Sequence, residues 1–202
     1  MRDPEFLPVM ESFYTIQGEG YHSGTPAYFI RLGGCDVGCH WCDVKESWDA
    51  SQFDWNHIND IAKEAKVSGA KLAVITGGEP LMYDLSGLTQ LLQTSGIQTN
   101  IETSGAYKLS GAWNWVCFSP KKFKAPLQEF YDNADELKIV IYNKSDLKWA
   151  EGHAAETNPK SLLYLQPEWS KKKEVTPLIV DYLKKYPKWK LSLQTHKYIH
   201  VP

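Results

Sequence analysis

Short runs of β-branched, aromatic and aliphatic residues recur along the chain, separated by stretches whose apolar residues return every three or four positions. The runs predict strands at Ala27–Leu32, Lys71–Ile75, Ile97–Ile101, Trp115–Phe118, Glu136–Ile141, Ser161–Leu165 and Trp189–Leu193. The intervening spacing predicts helices. Trp55–Val67 places Ile58, Ile61, Ala62 and Ala65 on one face, and Glu174–Lys185 does the same with Val175, Leu178, Ile179 and Leu183. A third, Leu85–Gln93, stops at Ser95-Gly96. Strand–helix alternation at this spacing predicts an α/β fold: a parallel sheet with helical crossovers. An eight-fold barrel takes about 250 residues. With 202, the expectation is an incomplete, TIM-like barrel or a strongly curved parallel sheet, as a single domain over 1–202.

Polar or Gly-rich clusters follow five of these strands: Thr76-Gly-Gly-Glu-Pro80, Glu102-Thr-Ser-Gly105, Ser119-Pro-Lys121, Gln166-Pro167 and Gln194-Thr-His196. Strand-to-helix turns favour such residues for their own conformational reasons. Five clusters on one edge nevertheless favour a shared site, because parallel α/β folds build sites at the carboxyl ends of strands.

Composition narrows the function classes. A net charge of -2 and a pI near 6.3 give no electrostatic case for direct nucleic-acid binding. No apolar run is long enough to span a membrane. The opening Met1-Arg2-Asp3-Pro4-Glu5-Phe6 lacks the apolar stretch of a signal peptide, which argues against export. Three of the four cysteines crowd into eight residues, while Cys117 stands alone in a predicted strand with no assigned role. That distribution fits a reduced, cytoplasmic protein with a metal or redox site rather than a disulfide framework.

The crowded segment reads Arg31-Leu-Gly-Gly-Cys35-Asp-Val-Gly-Cys39-His-Trp-Cys42-Asp43. Thiolates suit zinc or iron–sulfur clusters. Three of them on a cubane would leave one iron open for a small chelating molecule. Gly33, Gly34 and Gly38 let the backbone wrap closely and aim amides at the sulfurs. A zinc knuckle, completed by His40 or a distant residue, is the other reading of the same spacing.

C-x3-C-x2-C followed by a βα unit ending in Gly-Gly-Glu-Pro resembles the radical SAM superfamily, whose members cleave S-adenosylmethionine on a [4Fe–4S] cluster. Phe13-Tyr-Thr-Ile-Gln-Gly-Glu-Gly20, Glu102-Thr-Ser-Gly105, Ser119-Pro-Lys121 and Gln194-Thr-His-Lys197 look more closely like the 7-carboxy-7-deazaguanine synthase family of queuosine biosynthesis. The resemblance runs from about residue 13 to the last. It implies conversion of 6-carboxy-5,6,7,8-tetrahydropterin to 7-carboxy-7-deazaguanine with loss of ammonia, begun by hydrogen abstraction from C6. It implies a cluster on Cys35, Cys39 and Cys42, within a loop over 33–45. S-adenosylmethionine would lie against Trp41, Asp43, Gly78, Glu102, Ser104, Ser119, Pro120 and Lys121. The pterin would lie against Ile16, Gln17, Gly18, Glu19, Arg31 and Thr76, with Gln194, His196 and Pro202 from a capping tail over 194–202. No general acid or base is nominated. A flavodoxin-like electron donor and a homodimer are further implications.

One position departs from the family. Two residues after the third cysteine it usually has Thr or Ser, whose hydroxyl helps hold Mg2+; here stands Val44, with no oxygen to offer. Asp43 with water, or Lys45 or Arg31 as a charge substitute, would have to compensate. Two other readings of the chain compete: a radical SAM activase that abstracts from a partner protein's glycine, and a non-enzymatic zinc-binding adaptor. The first would not need the Gln17–Glu19 and Gln194–His196 clusters, and the second would load zinc without a chromophore.

Overall fold

The computed structural model describes residues 3–202; Met1 and Arg2, which open the N-terminal stretch considered above, lie outside the described residues. Among the described residues, nine strands form one open sheet. They are β1 (Phe6–Ile16), β2 (Pro26–Leu32), β3 (Trp55–His57), β4 (Leu72–Gly77), β5 (Gln98–Thr103), β6 (Trp115–Phe118), β7 (Glu136–Ile141), β8 (Leu162–Pro167) and β9 (Trp189–Leu191). The order is β3-β1-β2-β4-β5-β6-β7-β8-β9, so β3 and β9 are free edges and the barrel stays incomplete. From β2 onward the pairs of this order are parallel, whereas β1 pairs antiparallel with both β2 and β3.

The parallel strands read as near-continuous apolar runs because both faces are covered. Ala73, Val74, Ile75, Ile101, Leu137, Ile139 and Leu165 are fully buried. Helices α1 (Ile58–Val67), α2 (Ser86–Thr94), α3 (Gln128–Asn133), α4 (Ser145–Glu156), α5 (Lys172–Lys185) and α6 (Thr195–Ile199) complete the chain. The predicted stripe of α1 is buried as read from the sequence: Ile58, Ile61, Ala62 and Ala65 all face the core. In α5, Val175 and Ile179 are buried, but Leu178 turns outward and is 39% exposed.

The predicted helix from Trp55 starts late. Trp55–His57 pairs with Phe6–Pro8, and His57 Nδ1 then accepts from Asn59 N, satisfying a donor at the first turn of α1. Strand β1 was not foreseen. Pro8 and the half-exposed Glu11, Ser12 and Thr15 interrupt its apolar pattern, and a bulge shifts its register between Val9 and Glu11. Among the described residues no helix is long and apolar enough to cross a membrane.

Candidate active site

A cavity of about 250 Å³ opens at the carboxyl edge of the sheet. One wall is the loop that leaves β2. Its entry is fixed by backbone bonds from Gly34 N to Ser47 O (2.6 Å) and Cys35 N to Trp48 O (3.1 Å). Gly34 and Gly38 take φ of 101° and 76°, which side chains avoid. Cys35, Cys39 and Cys42 all line the cavity, and no cysteine is in a disulfide. Burial pushes the Cys39 thiol up to about 11 against the opposing charge of Lys121, and it raises Cys35 as well. Among the described residues, no three His, Cys, Asp or Glu side chains form a group that could hold one metal ion.

The turn after β4 locks onto this loop. Gly78 N donates to Leu32 O and Glu79 N to Gly34 O, both at 2.9 Å. A Cβ on Gly78 would sit 2.2 Å from Gly34 O and 2.7 Å from Cys35 Cβ, so only glycine permits the approach. The Glu79 carboxylate is fully buried and accepts from Leu81 N, Thr103 Oγ1, Ser104 N and Ser104 Oγ. It ties the ends of β4 and β5 together and leaves Gly78 and Ser104 on the cavity wall.

Charge is concentrated deeper in. Lys138, in the middle of β7, pairs with Glu19 from the β1–β2 turn and with Glu102 at the end of β5 (3.1 Å). Gln17 donates to Glu102 (2.8 Å) and accepts from Glu19 N (3.0 Å), and Gln194 donates to Glu19 (3.0 Å). Burial works against the Glu19 carboxylate, but the Lys138 charge and bonds from Lys138, Gln166 and Gln194 outweigh it and bring its pKa to about 2. Its value in the unfolded chain is 4.5, so Glu19 contributes stability in full above that pH and loses it as pH falls towards 2. The melting temperature of Glu19→Gln is therefore expected to fall less steeply than wild type between pH 4.5 and 3, measured by circular dichroism; parallel slopes would contradict this.

The C-terminal segment closes the far side. Thr195 N donates to Gly18 O (2.9 Å), Lys197 Nζ pairs with Asp43 (2.6 Å), and Thr15 Oγ1 donates to Pro202 O (3.3 Å). Gln194, His196 and Pro202 thereby line the cavity, and burial lowers the His196 pKa. On the cysteine side, Lys121 Nζ donates to Ser119 O (2.7 Å) and Oγ (2.6 Å) and lies 5.9 Å from the Trp41 ring.

The fold gathers nearly every residue nominated from the sequence onto this one cavity: Ile16, Gln17, Gly18, Glu19, Arg31, Trp41, Asp43, Val44, Thr76, Gly78, Glu102, Ser104, Ser119 and Lys121 join the cysteines and the tail. Pro120 does not line it, because backbone neighbours Ser119 and Lys121 take the inward positions. Arg31 Nε donates to Glu11 (2.7 Å) while its side chain borders the cavity. Lys45 lies 5.9 Å from the Trp48 ring, outside the cavity lining. Lys138, Gln166, Glu168 and Trp169 also line the cavity and were not nominated. For Lys138 a signal existed: a cation inside the apolar run ELKIVI must find buried partners.

The donor set fits an iron–sulfur cluster: three soft sulfurs on one glycine-rich loop, facing open space rather than a fourth protein ligand. Val44 offers no oxygen for Mg2+ beside Cys42; Asp43, whose Oδ2 bonds to Lys197 (2.6 Å) and Gln194 (3.3 Å), is the neighbouring carboxylate that would hold Mg2+ there together with substrate and water oxygens. An incomplete parallel barrel carrying such a loop over a cavity at the carboxyl ends of the strands defines the radical SAM class of enzymes. The radical SAM superfamily model matches residues 29–109. The 7-carboxy-7-deazaguanine synthase of Flavobacterium psychrophilum is 59% identical, over 98% of this chain and 94% of its own. That of a Synechocystis species is 43% identical, over 96% and 93%. The crystal structure of QueE from Escherichia coli superposes with a TM-score of 0.85 at 33% identity, covering 95% of each chain. The chain belongs to the 7-carboxy-7-deazaguanine synthase family.

Proposed function

We propose that this chain forms 7-carboxy-7-deazaguanine from 6-carboxy-5,6,7,8-tetrahydropterin, with loss of ammonia, as one radical SAM domain in the cytoplasm. The observation that carries the reading is the union, on one cavity, of the three cysteines with the Gln17–Glu19 turn and the Gln194–Pro202 tail. A [4Fe–4S] cluster on Cys35, Cys39 and Cys42, with S-adenosylmethionine, would supply the 5′-deoxyadenosyl radical.

The chain's own residues bind, orient and exclude water. Gly78, Ser104, Ser119 and Lys121 take S-adenosylmethionine together with Glu102, with Trp41 and Asp43 at its border. Gln17, Glu19, Thr76 and His196 offer donors and acceptors to the flat pterin edge, and Ile16 and Gly18 bound it. Arg31 pairs with the substrate carboxylate through charge-assisted bonds, sharing its cation with Glu11. Gln194 and Pro202 hold the tail across the far side, keeping bulk water from the reacting centre. Positioning of this kind supplies the rate, and no side chain is assigned as a general base. A flavodoxin-like electron donor and a homodimeric state accompany this reading.

The test is anaerobic reconstitution with iron and sulfide, followed by incubation with S-adenosylmethionine, reductant and the carboxypterin. 7-Carboxy-7-deazaguanine by liquid chromatography and mass spectrometry is the expected product. Reductive cleavage of S-adenosylmethionine without that product would reject the substrate. The missing hydroxyl at Val44 leads to a second expectation: Mg2+ stimulates turnover less in wild type than in Val44→Thr. Equal stimulation, measured by initial rates across a Mg2+ titration, would contradict it.

A further inference from the structure

Lys138 is the least expected residue in the cavity. It stands in the middle of β7, a parallel strand covered on both faces, and its side chain is only 3% exposed. A lone ammonium there would be expelled or neutralised, because burial strips most of its hydration. Burial does oppose its charge, but Cys117, Glu102, Glu19 and Glu136 surround it and hold its pKa well above the ordinary lysine range.

The carboxylates it pairs with come from distant parts of the chain. Glu19 belongs to the turn between β1 and β2, against the C-terminal tail, and Glu102 to the end of β5, beside Ser104. A closed ring of hydrogen bonds joins them. Lys138 Nζ meets Glu19 Oε2 and Glu102 Oε2. Gln17 Nε2 reaches Glu102 Oε1, and Gln17 Oε1 takes the Glu19 amide. Lys138 is the only cation in the ring. Without it two carboxylates would face each other across a buried space, where one would protonate or swing away.

We infer that Lys138 is a positioning residue that acts on both ligands at once, through Glu19 on the pterin and through Glu102 on S-adenosylmethionine. The inference rests on the assignment of Glu19 and Glu102 given above. Lys138 itself need touch neither ligand. Its effect on each passes through one carboxylate, and that gives it a signature that a merely structural lysine lacks.

The experiment measures dissociation constants of S-adenosylmethionine and of the carboxypterin on reconstituted holoenzyme, by equilibrium titration, with no turnover. Lys138→Met is expected to weaken both at least about tenfold, as truncation of a buried charge pair does. In a Glu19→Gln background the same substitution should cost nothing further for the pterin and still weaken S-adenosylmethionine. In a Glu102→Gln background the pattern should reverse. Losses that add in both backgrounds, or an effect on only one ligand in the wild-type background, would overturn the inference. If Lys138→Met alone does not fold, the paired variants supply the same comparison, because each removes one carboxylate together with the ammonium, and Lys138→Arg should restore both affinities. A wild-type holoenzyme that binds S-adenosylmethionine but not the carboxypterin would reject the substrate assignment alone. The S-adenosylmethionine arm, with and without Glu102→Gln, then still decides the role of Lys138.

Discussion

Replacing Cys35, Cys39 or Cys42 by alanine is expected to abolish cluster binding and S-adenosylmethionine cleavage while leaving the chain folded. The three thiols are the only soft donors on the loop, and two sulfurs cannot fix a cube. The fold survives because the loop is held by its backbone: Gly34 and Cys35 donate to Ser47 and Trp48, and Glu79 N reaches Gly34 O. None of these bonds uses a cysteine side chain. Reconstituted wild type should carry about four irons per chain and absorb broadly in the visible. Each variant should lose most of that iron and the absorbance, with an unchanged far-ultraviolet circular dichroism spectrum. Cys117→Ala is the control. Cys117 lies buried in β6, away from the cysteine loop, and its loss should leave the iron content intact. Full iron loading in any one of the loop variants, or stoichiometric zinc without colour in wild type, would defeat the assignment.

How far the sequence carried this picture depended on whether the determinants were local. The cysteine loop was legible because three ligands, their glycines and the flanking Arg31 and Asp43 lie within thirteen residues. The parallel strands were legible because burial on both faces leaves an unbroken apolar run. Strand β1 was not. Its inward and outward positions mix Pro8, Glu11 and Thr15 with Leu7 and Val9, and it becomes a strand by pairing with β2 and β3 rather than by its own pattern. Helix α4 escaped for a related reason. Only Asp146, Leu147 and Ala150 are buried along it, too few to form a stripe.

The site divides in the same way. Glu19 and Glu102 were each nominated, but nothing local announces that they share Lys138. Glu19 in a Gly-rich turn reads as a solvated carboxylate, and only the fold brings it, partly buried, against the Lys138 ammonium. Arg31 reads either as a cation for a substrate carboxylate or as a structural ion-pair partner in its strand, and the β1–β2 pairing supplies Glu11 as that partner. Spacing reveals ligand sets that are contiguous. It is silent on networks whose members meet only once the sheet has curled.

Gly18→Ala is expected to cut product formation about a hundredfold, the scale of a misplacement near 1 Å, with S-adenosylmethionine binding little changed. Gly18 needs no special backbone angle; the space is what matters. A Cβ there would lie 2.2 Å from His196 Nδ1 and 2.7 Å from His196 N. The imidazole could rotate away, but the backbone nitrogen cannot without shifting α6, which the 2.9 Å bond from Thr195 N to Gly18 O draws against this turn. A methyl group therefore pushes out the tail that carries Gln194, His196 and Pro202, and with it the wall assigned to the pterin. The tail also touches the cysteine loop at Asp43, through Lys197 (2.6 Å) and Gln194 (3.3 Å), but the bonds that hold Gly34, Cys35 and Gly78 run to Ser47, Trp48 and Leu32 and do not involve it. The carboxypterin dissociation constant should rise steeply while cleavage of S-adenosylmethionine persists without product. Gly152→Ala, in α4 with nothing near its added methyl, should be neutral or slightly stabilising. If Gly18→Ala instead turned over like wild type, the tail would not be part of the pterin wall.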